Sequence, residues 1–251
     1  MFGRSIWQSG SDMFALLVGL SVADALTGVA VRGNAFVDTA TNETVILRGV
    51  SHSSGEYLCV HGVNSTFEGN ISASFVSAIA SWGNNVVRIP LNEDCWLGIN
   101  GAQPAGQAYR QSVAEFVRLL TGAGIAAILD LHWAAPRGQL AKGQLAMPDA
   151  SHSPAFWTSV AQAYKSNPLV LFELYNEPFP DNGAVKSRSW KCLQSGGAAC
   201  DGVASVGYTA AGMADLVAAV RGTGATNVVL VSGLVWTNHL DGWLDHVPND
   251  P

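Results

Sequence analysis

Five short apolar runs alternate with amphipathic stretches along most of this chain, and that alternation constrains its fold more than any other feature. The runs begin near residues 45, 86, 126, 169 and 228. The segments 85–90, 125–131, 169–175 and 227–232 are apolar nearly throughout, as expected of strands buried on both faces of a parallel sheet. Between them the apolar period changes to that of a helix. Segment 71–82 puts Phe75, Val76, Ile79 and Trp82 on one face, and segment 107–121 does the same with Val113, Phe116, Val117 and Leu120. A third helix is predicted over 153–166, opened by Ser153-Pro154 as cap and first turn, and a fourth over 207–221. Ahead of these, 29–37 and 44–50 flank a polar turn at 38–43, which reads as a hairpin running into a buried strand.

Strands alternating with helices predict a parallel α/β fold. Two architectures fit: an open doubly wound sheet, or the first part of a (β/α)8 barrel. No G-x-G-x-x-G follows the first strand and no Walker sequence occurs, so a nucleotide-binding open sheet loses its main support. Polar residues gather instead at the C-terminal ends of several strands: Arg88, then Asn92-Glu93-Asp94, His132-Trp133, Asn176-Glu177 and Trp236. Barrel enzymes build their sites from such positions, whereas an open sheet concentrates them at one switch point. The fold class expected is therefore α/β, of the (β/α)8 TIM-barrel type but incomplete, with about five of the eight βα units of such a barrel.

Composition narrows the function. Lys and Arg number 13 against 19 Asp and Glu, the net charge is −6 and no basic run occurs, so nucleic acid is not an expected partner. Eight Trp offer flat faces that suit sugar rings as well as apolar cores. Residues 14–23 are apolar, Arg4 lies upstream and Ala23-Asp24-Ala25 fits a cleavage site, so residues 1–25 read as a secretory signal peptide and 26–251 as the mature chain. Asp24 breaks the run before a membrane span of roughly 20 residues accumulates, so no membrane association is expected after its removal. Four cysteines, Cys59, Cys95, Cys192 and Cys200, form no C-x-x-C pair. In an oxidising compartment they allow two disulfides, with four buried thiols as the alternative; Cys192 and Cys200 bracket a Gly-rich loop.

Chemistry concentrates at three strand exits. Pro178 cannot extend a ladder, so Glu177 stands where its strand leaves the sheet, placed to act as a general acid, with Asn176 beside it to bind a hydroxyl. Asp130 and His132 share a face, Asp130 one step deeper, so Asp130 can orient the imidazole. Arg88 on its strand demands an acidic partner. Glu173, four residues before Glu177, reads as an interior structural charge. No H-x-x-x-H or H-E-x-x-H occurs and no metal is expected; no G-x-S-x-G supports a serine hydrolase.

Four segments in order carry a family resemblance: Leu47-Arg48-Gly49-Val50, Asn85-Val86-Val87-Arg88-Ile89-Pro90-Leu91-Asn92, Leu129-Asp130-Leu131-His132-Trp133, and Phe172-Glu173-Leu174-Tyr175-Asn176-Glu177-Pro178. They resemble glycoside hydrolase family 5, the cellulase family of the clan A barrels, from about residue 31 onward. The segment 92–98 and the Cys192 to Cys200 loop look like secreted bacterial members. The resemblance implies a secreted, monomeric, retaining endo-β-glycosidase without cofactor, acting on a polysaccharide, foremost β-1,4-glucan. It implies Glu177 as acid/base, Asn176, Arg88 and His132 as substrate-contacting neighbours, and Trp133 and Trp236 facing sugar subsites. It also implies a Cys59 to Cys95 link between the first two βα loops. The family's nucleophile is a Glu at the end of strand seven, with a His-x-Tyr on strand six. No Glu follows Glu177 in this sequence, and three βα units, about 100 residues, are expected to be missing. An open sheet of five strands is then expected to expose an apolar edge. Two other readings remain: a non-catalytic carbohydrate-binding fragment, or a family member acting on mannan, xyloglucan or a β-1,3-glucan.

Overall fold

A computed structural model describes residues 25–250. The expected signal peptide thus lies outside the described residues except for Ala25. Two sheets are present, and the smaller departs from the expected hairpin. Strands β1 (Val29–Arg32), β2 (Ala35–Asp38) and β3 (Thr44–Val45) form an antiparallel sheet in that order. The run at 29–37 therefore folds on itself rather than forming one strand. Arg32 pairs with Ala35 around Gly33, whose φ of +60° is what a two-residue hairpin turn requires at its first position. The turn at 38–43 forms as expected. The Asp38 carboxylate accepts the amides of Ala40 and Thr41 at 2.9 and 3.1 Å, and that of Thr27 at 2.7 Å.

Strand β4 (Gly49–Ser51) begins a separate, wholly parallel sheet. It continues through β5 (Val86–Asn92), β6 (Ala126–Trp133), β7 (Val170–Glu173) and β8 (Val229–Leu230), in the order β4-β5-β6-β7-β8. Among the described residues this sheet does not close. Its β4 edge is exposed at all three residues, which corrects the reading of this segment as a buried strand and agrees with the exposed edge expected of an open sheet. A Cβ on Gly49 would lie 1.7 Å from the Val86 carbonyl oxygen, so only glycine lets β4 approach β5 here.

The helices are α1 (Ala73–Ser81), α2 (Glu93–Leu97), α3 (Gln107–Gly122), α4 (Ser153–Tyr164), α5 (Ser187–Ser195), α6 (Met213–Arg221) and α7 (Trp243–His246). α2 follows β5 without a loop because the Asn92 side chain caps it, accepting the amides of Asp94 and Cys95. α6 starts at Met213, six residues later than the apolar pattern suggests. Residues 207–212 are held extended instead: Ala210 and Ala211 bridge to Asp149 and Gly196, and the Tyr208 hydroxyl bonds both backbone groups of Met147.

Alternation along the strands sorts the two faces of the large sheet. Val87, Ile89, Leu91, Leu129, Leu131, Val170 and Phe172 point toward the helices. There they pack with Phe116, Phe156, Trp157, Val160 and Leu216 into the main core. The strand starts, Val86, Ala126, Leu169 and Val228, join Leu26 and Val29 in a second cluster, so the small sheet covers the N-terminal end of the large one. Arg88, Asp130, His132 and Glu173 occupy the face turned away from the helices, toward the C-terminal ends.

Candidate active site

Arg88 is the hub of that face. Its Nε and Nη2 donate to both oxygens of Glu173 at 2.6 and 3.0 Å. Nη2 also lies 2.9 Å from Asp130 Oδ2 and donates to Asn176 Oδ1 at 2.7 Å. One planar guanidinium therefore joins β5, β6 and the exit of β7, using the fork geometry that a lysine lacks. The acidic partner that Arg88 demands turns out to be two carboxylates. Asp130 Oδ2 also meets His132 Nδ1 at 2.6 Å, so Asp130 does lie one step deeper and orients the imidazole.

The protonation states follow from these contacts. Burial disfavours the charge on Arg88, but Asp130 and Glu173 outweigh it and raise its pKa. Burial likewise opposes a charged His132, and the hydrogen bond that its Nδ1 donates to Asp130, with the Asp130 charge, reverses the balance and raises its pKa. Glu173 is pushed up to about 7, first by burial and then by the Asp130 charge, with Arg88 opposing. At neutral pH this face combines a fixed cation, an imidazole held by a carboxylate, and a carboxyl close to its titration point.

Glu177 is exposed at the exit of β7. Its backbone is pinned from both sides. The preceding carbonyl, that of Asn176, accepts Ser232 Oγ at 2.9 Å and Thr237 Oγ1 at 3.3 Å, while the following one, that of Pro178, accepts the Trp236 amide at 3.2 Å. Asn176 is itself oriented, with Oδ1 on Arg88 and Nδ2 donating to Gln144 Oε1 at 3.1 Å. Trp133 is partly buried, its ring 5.5 Å from His61 and 6.4 Å from Tyr57. Trp236 is 44 % exposed and stacks on Phe179 at 5.2 Å, held by three successive left-handed residues, Val235, Trp236 and Thr237. Both disulfides form: Cys59 to Cys95, linking the loop after β4 to α2, and Cys192 to Cys200, closing the end of α5.

One cluster escapes sequence spacing. Glu93, Asp149 and His152 bring one ligand atom each within 4.8 Å of one another. Their oxygens already have protein donors: Ser153 Oγ reaches Glu93 Oε2 at 2.6 Å, and the amides of Ser151 and His152 reach Asp149 Oδ1 at 2.8 and 3.0 Å. Burial pushes Glu93 up to about 8, and the Glu93 carboxylate, 3.6 Å from His152 Nδ1, helps push His152 up to about 9. The cluster reads as a lock joining α2, the loop after β6 and the start of α4. A groove of about 880 Å³ between α3 and α4, lined by Trp96, Arg110 and Tyr164 among others, contains none of the site residues.

Polar side chains converging from several parallel strands at their C-terminal ends, on the face opposite the helices, define a protein of the (β/α)-barrel type with its site at the strand exits. Residues 38–251 match the cellulase family, glycosyl hydrolase family 5, and the chain belongs to that family. A curated relative, probable endo-beta-1,4-glucanase B of Aspergillus oryzae, is 29 % identical over 105 residues, 41 % of this chain and 30 % of the relative. Among solved structures, XacCel5A in complex with cellopentaose superposes with a TM-score of 0.55 at 22 % identity, over 81 % of this chain and 61 % of that one. An endogalactoceramidase superposes with 0.60 at 18 % identity, over 84 % and 54 %. The chain thus spans about three fifths or less of the length of these relatives, and the structural likeness establishes the barrel fold without separating one substrate from another.

Proposed function

We propose that this chain carries the acid/base half of a retaining endo-β-glycosidase site, with β-1,4-glucan as the substrate. The network Asn176–Arg88–Asp130–His132 beside an exposed Glu177 is the observation that carries the reading. Glu177 stands at the mouth of the site on a backbone held rigid by Asn176 and Pro178, as a group that hands a proton to a glycosidic oxygen must be. Asn176 and His132, each with one polar end occupied by the protein, keep orientations that suit ring hydroxyls. The Arg88 cation steadies the negative charge of the site without titrating. Trp133 and Trp236 supply aromatic surface for sugar faces.

Retention needs a second carboxylate about 5–5.5 Å from the acid, acting as nucleophile. No Glu follows Glu177, and the nearest acid downstream, Asp181, is clamped by Arg188 at 2.6 Å and Lys186 at 3.0 Å. The reading therefore assigns the nucleophile to none of the described residues. Two disulfides fit an oxidising, extracellular setting. No helix among the described residues is long and apolar enough to cross a membrane.

Incubation with cellopentaose, mannopentaose and laminaripentaose, with products followed by proton NMR, tests this. In a protein that supplies the second carboxylate to this half-site, cleavage of cellopentaose with the β-anomer appearing first is expected. Preferential cleavage of another pentaose, or the α-anomer first, would overturn the substrate or the stereochemistry.

A further inference from the structure

Three Asn-x-Ser/Thr sequences occur, at Asn42, Asn64 and Asn70, and the glycosidase reading uses none of them. All three asparagines are exposed. The hydroxyls two residues further on differ in what the fold does with them. Thr44 is exposed on β3, so water satisfies its hydroxyl. Ser72 caps α1, its Oγ accepting the Phe75 amide at 3.3 Å. Thr66 is 4 % exposed, and its Oγ1 is buried with no hydrogen-bond partner among the described residues. A hydroxyl left dry and unpaired is costly, so the fold gains nothing from this one.

The loop between β4 and α1 is anchored without that hydroxyl. Phe67, next to Thr66, packs edge-on against His52 at 5.6 Å and Phe116 at 5.4 Å. Ser65 Oγ donates to the Phe67 carbonyl at 2.7 Å, and the Glu68 amide donates to Ser54 Oγ at 2.9 Å. A valine has the same branched shape as Thr66 and brings no polar side-chain atom. A threonine at this position therefore answers to something other than packing. Asn64 stands in the same loop beside Val63, itself 45 % exposed. Other asparagines spend their side-chain amides inside the protein, Asn85 on the Ile46 carbonyl at 3.0 Å and Asn227 on that of Val170 at 2.9 Å.

We infer that Asn64 is an N-glycosylation site, modified before the loop folds. The transfer reads an asparagine and a hydroxyl two residues later. Once folded, Thr66 presents no hydroxyl to an enzyme, so modification precedes its burial. Asn64 Nδ2 attacks C1 of an oligosaccharide carried on a polyprenyl pyrophosphate. The N–C1 bond forms and the C1–O bond to phosphate breaks. The pyrophosphate leaves with that electron pair, and Nδ2 gives up one proton to a base of the transferase. The two disulfides already call for an oxidising compartment, and the lumen of the endoplasmic reticulum provides one alongside this transfer. The oligosaccharide then lies on the loop between β4 and α1, covering Val63.

Peptide mass spectrometry of the full chain, secreted from a eukaryotic host, tests it before and after peptide-N-glycosidase, which leaves aspartate at each formerly modified asparagine. Asn64 is expected to be read as aspartate after treatment, and Asn64→Gln to lose that added mass. Thr66→Ser should keep the modification and Thr66→Val should abolish it. After deglycosylation, Thr66→Val should also raise the unfolding midpoint by roughly 2–4 °C, because a methyl replaces an unpaired buried hydroxyl. An unmodified Asn64 in the unaltered chain would overturn the inference. A midpoint lowered by Thr66→Val, or failure of that variant to fold, would show that the hydroxyl serves the fold and would overturn it equally.

Discussion

Arg88 Nη2 lies 2.7 Å from Asn176 Oδ1, so a strand interior residue sets the orientation of the amide next to the exposed Glu177. The same guanidinium separates two carboxylates, Asp130 and Glu173, on neighbouring strands. Arg88→Met leaves those charges facing each other. The expected cost is about 2–3 kcal/mol, below the roughly 3–5 kcal/mol for breaking a fully buried pair, because 23 % of the Arg88 side chain remains exposed. Urea unfolding measures it. The cost should be smaller at pH 5 than at pH 8, since Glu173, pushed up to about 7, takes a proton at the lower pH.

Tyr109 holds the loop after β4 against the end of β5. Its hydroxyl accepts the Asn92 amide at 3.1 Å and donates to the Gly55 carbonyl at 2.8 Å, and the residue is fully buried. Tyr109→Phe leaves both backbone groups without that partner at nearly constant volume. A loss of roughly 1–3 kcal/mol is expected in denaturant unfolding.

The two disulfides differ in the loop they close. Cys59 and Cys95 are 36 residues apart, Cys192 and Cys200 only 8. Loop-closure entropy gives about 4 kcal/mol for the first and about 2.5 kcal/mol for the second. Paired Cys→Ser variants should follow that order in thermal unfolding, and the first should also loosen the loop after β4.

Stability should decline on the alkaline side. Glu93 rises from an ordinary 4.5 to about 8 and His152 from 6.5 to about 9, so the folded chain holds a proton on each group more tightly than the unfolded chain does. A raised pKa contributes stability that is complete at low pH and fades as pH climbs toward the folded value. The contribution of this pair is full below about 4.5, falls as the unfolded Glu93 and then the unfolded His152 give up their protons, and is gone above about 9. Glu93→Gln should flatten the fall in Tm across that window by a few degrees, on the scale of about 2–4 °C per kcal/mol. An equally steep fall in the variant would remove the pair from the account.

Much of this was legible in the chain itself. Strands β5 to β8, helices α1, α3 and α4, the Arg88 need for acidic partners and the Asp130 support of His132 follow from period, parity and charge, which are local properties, whereas α2, α5 and α7 carry no such signal. What escaped has long-range causes. Glu93, Asp149 and His152 meet only because α2, the loop after β6 and α4 fold together, and their spacing in sequence carries no motif. The late start of α6 comes from Tyr208, Ala210 and Ala211 finding partners far along the chain. The turn at Gly33 was locally visible in Arg32-Gly33-Asn34, but the apolar run masked it.

The role of Glu177 tests the account most directly. Hydrolysis of an aryl β-cellobioside with a good leaving group and of cellopentaose, whose leaving group is poor, should be compared, in a protein that supplies the second carboxylate, with Glu177 intact and with Glu177→Gln. Loss of the acid should reduce cleavage of cellopentaose by roughly 10²–10⁴-fold and touch the activated aryl substrate far less, because only a poor leaving group needs the proton. Undiminished cleavage of cellopentaose by the Glu177→Gln variant would contradict it.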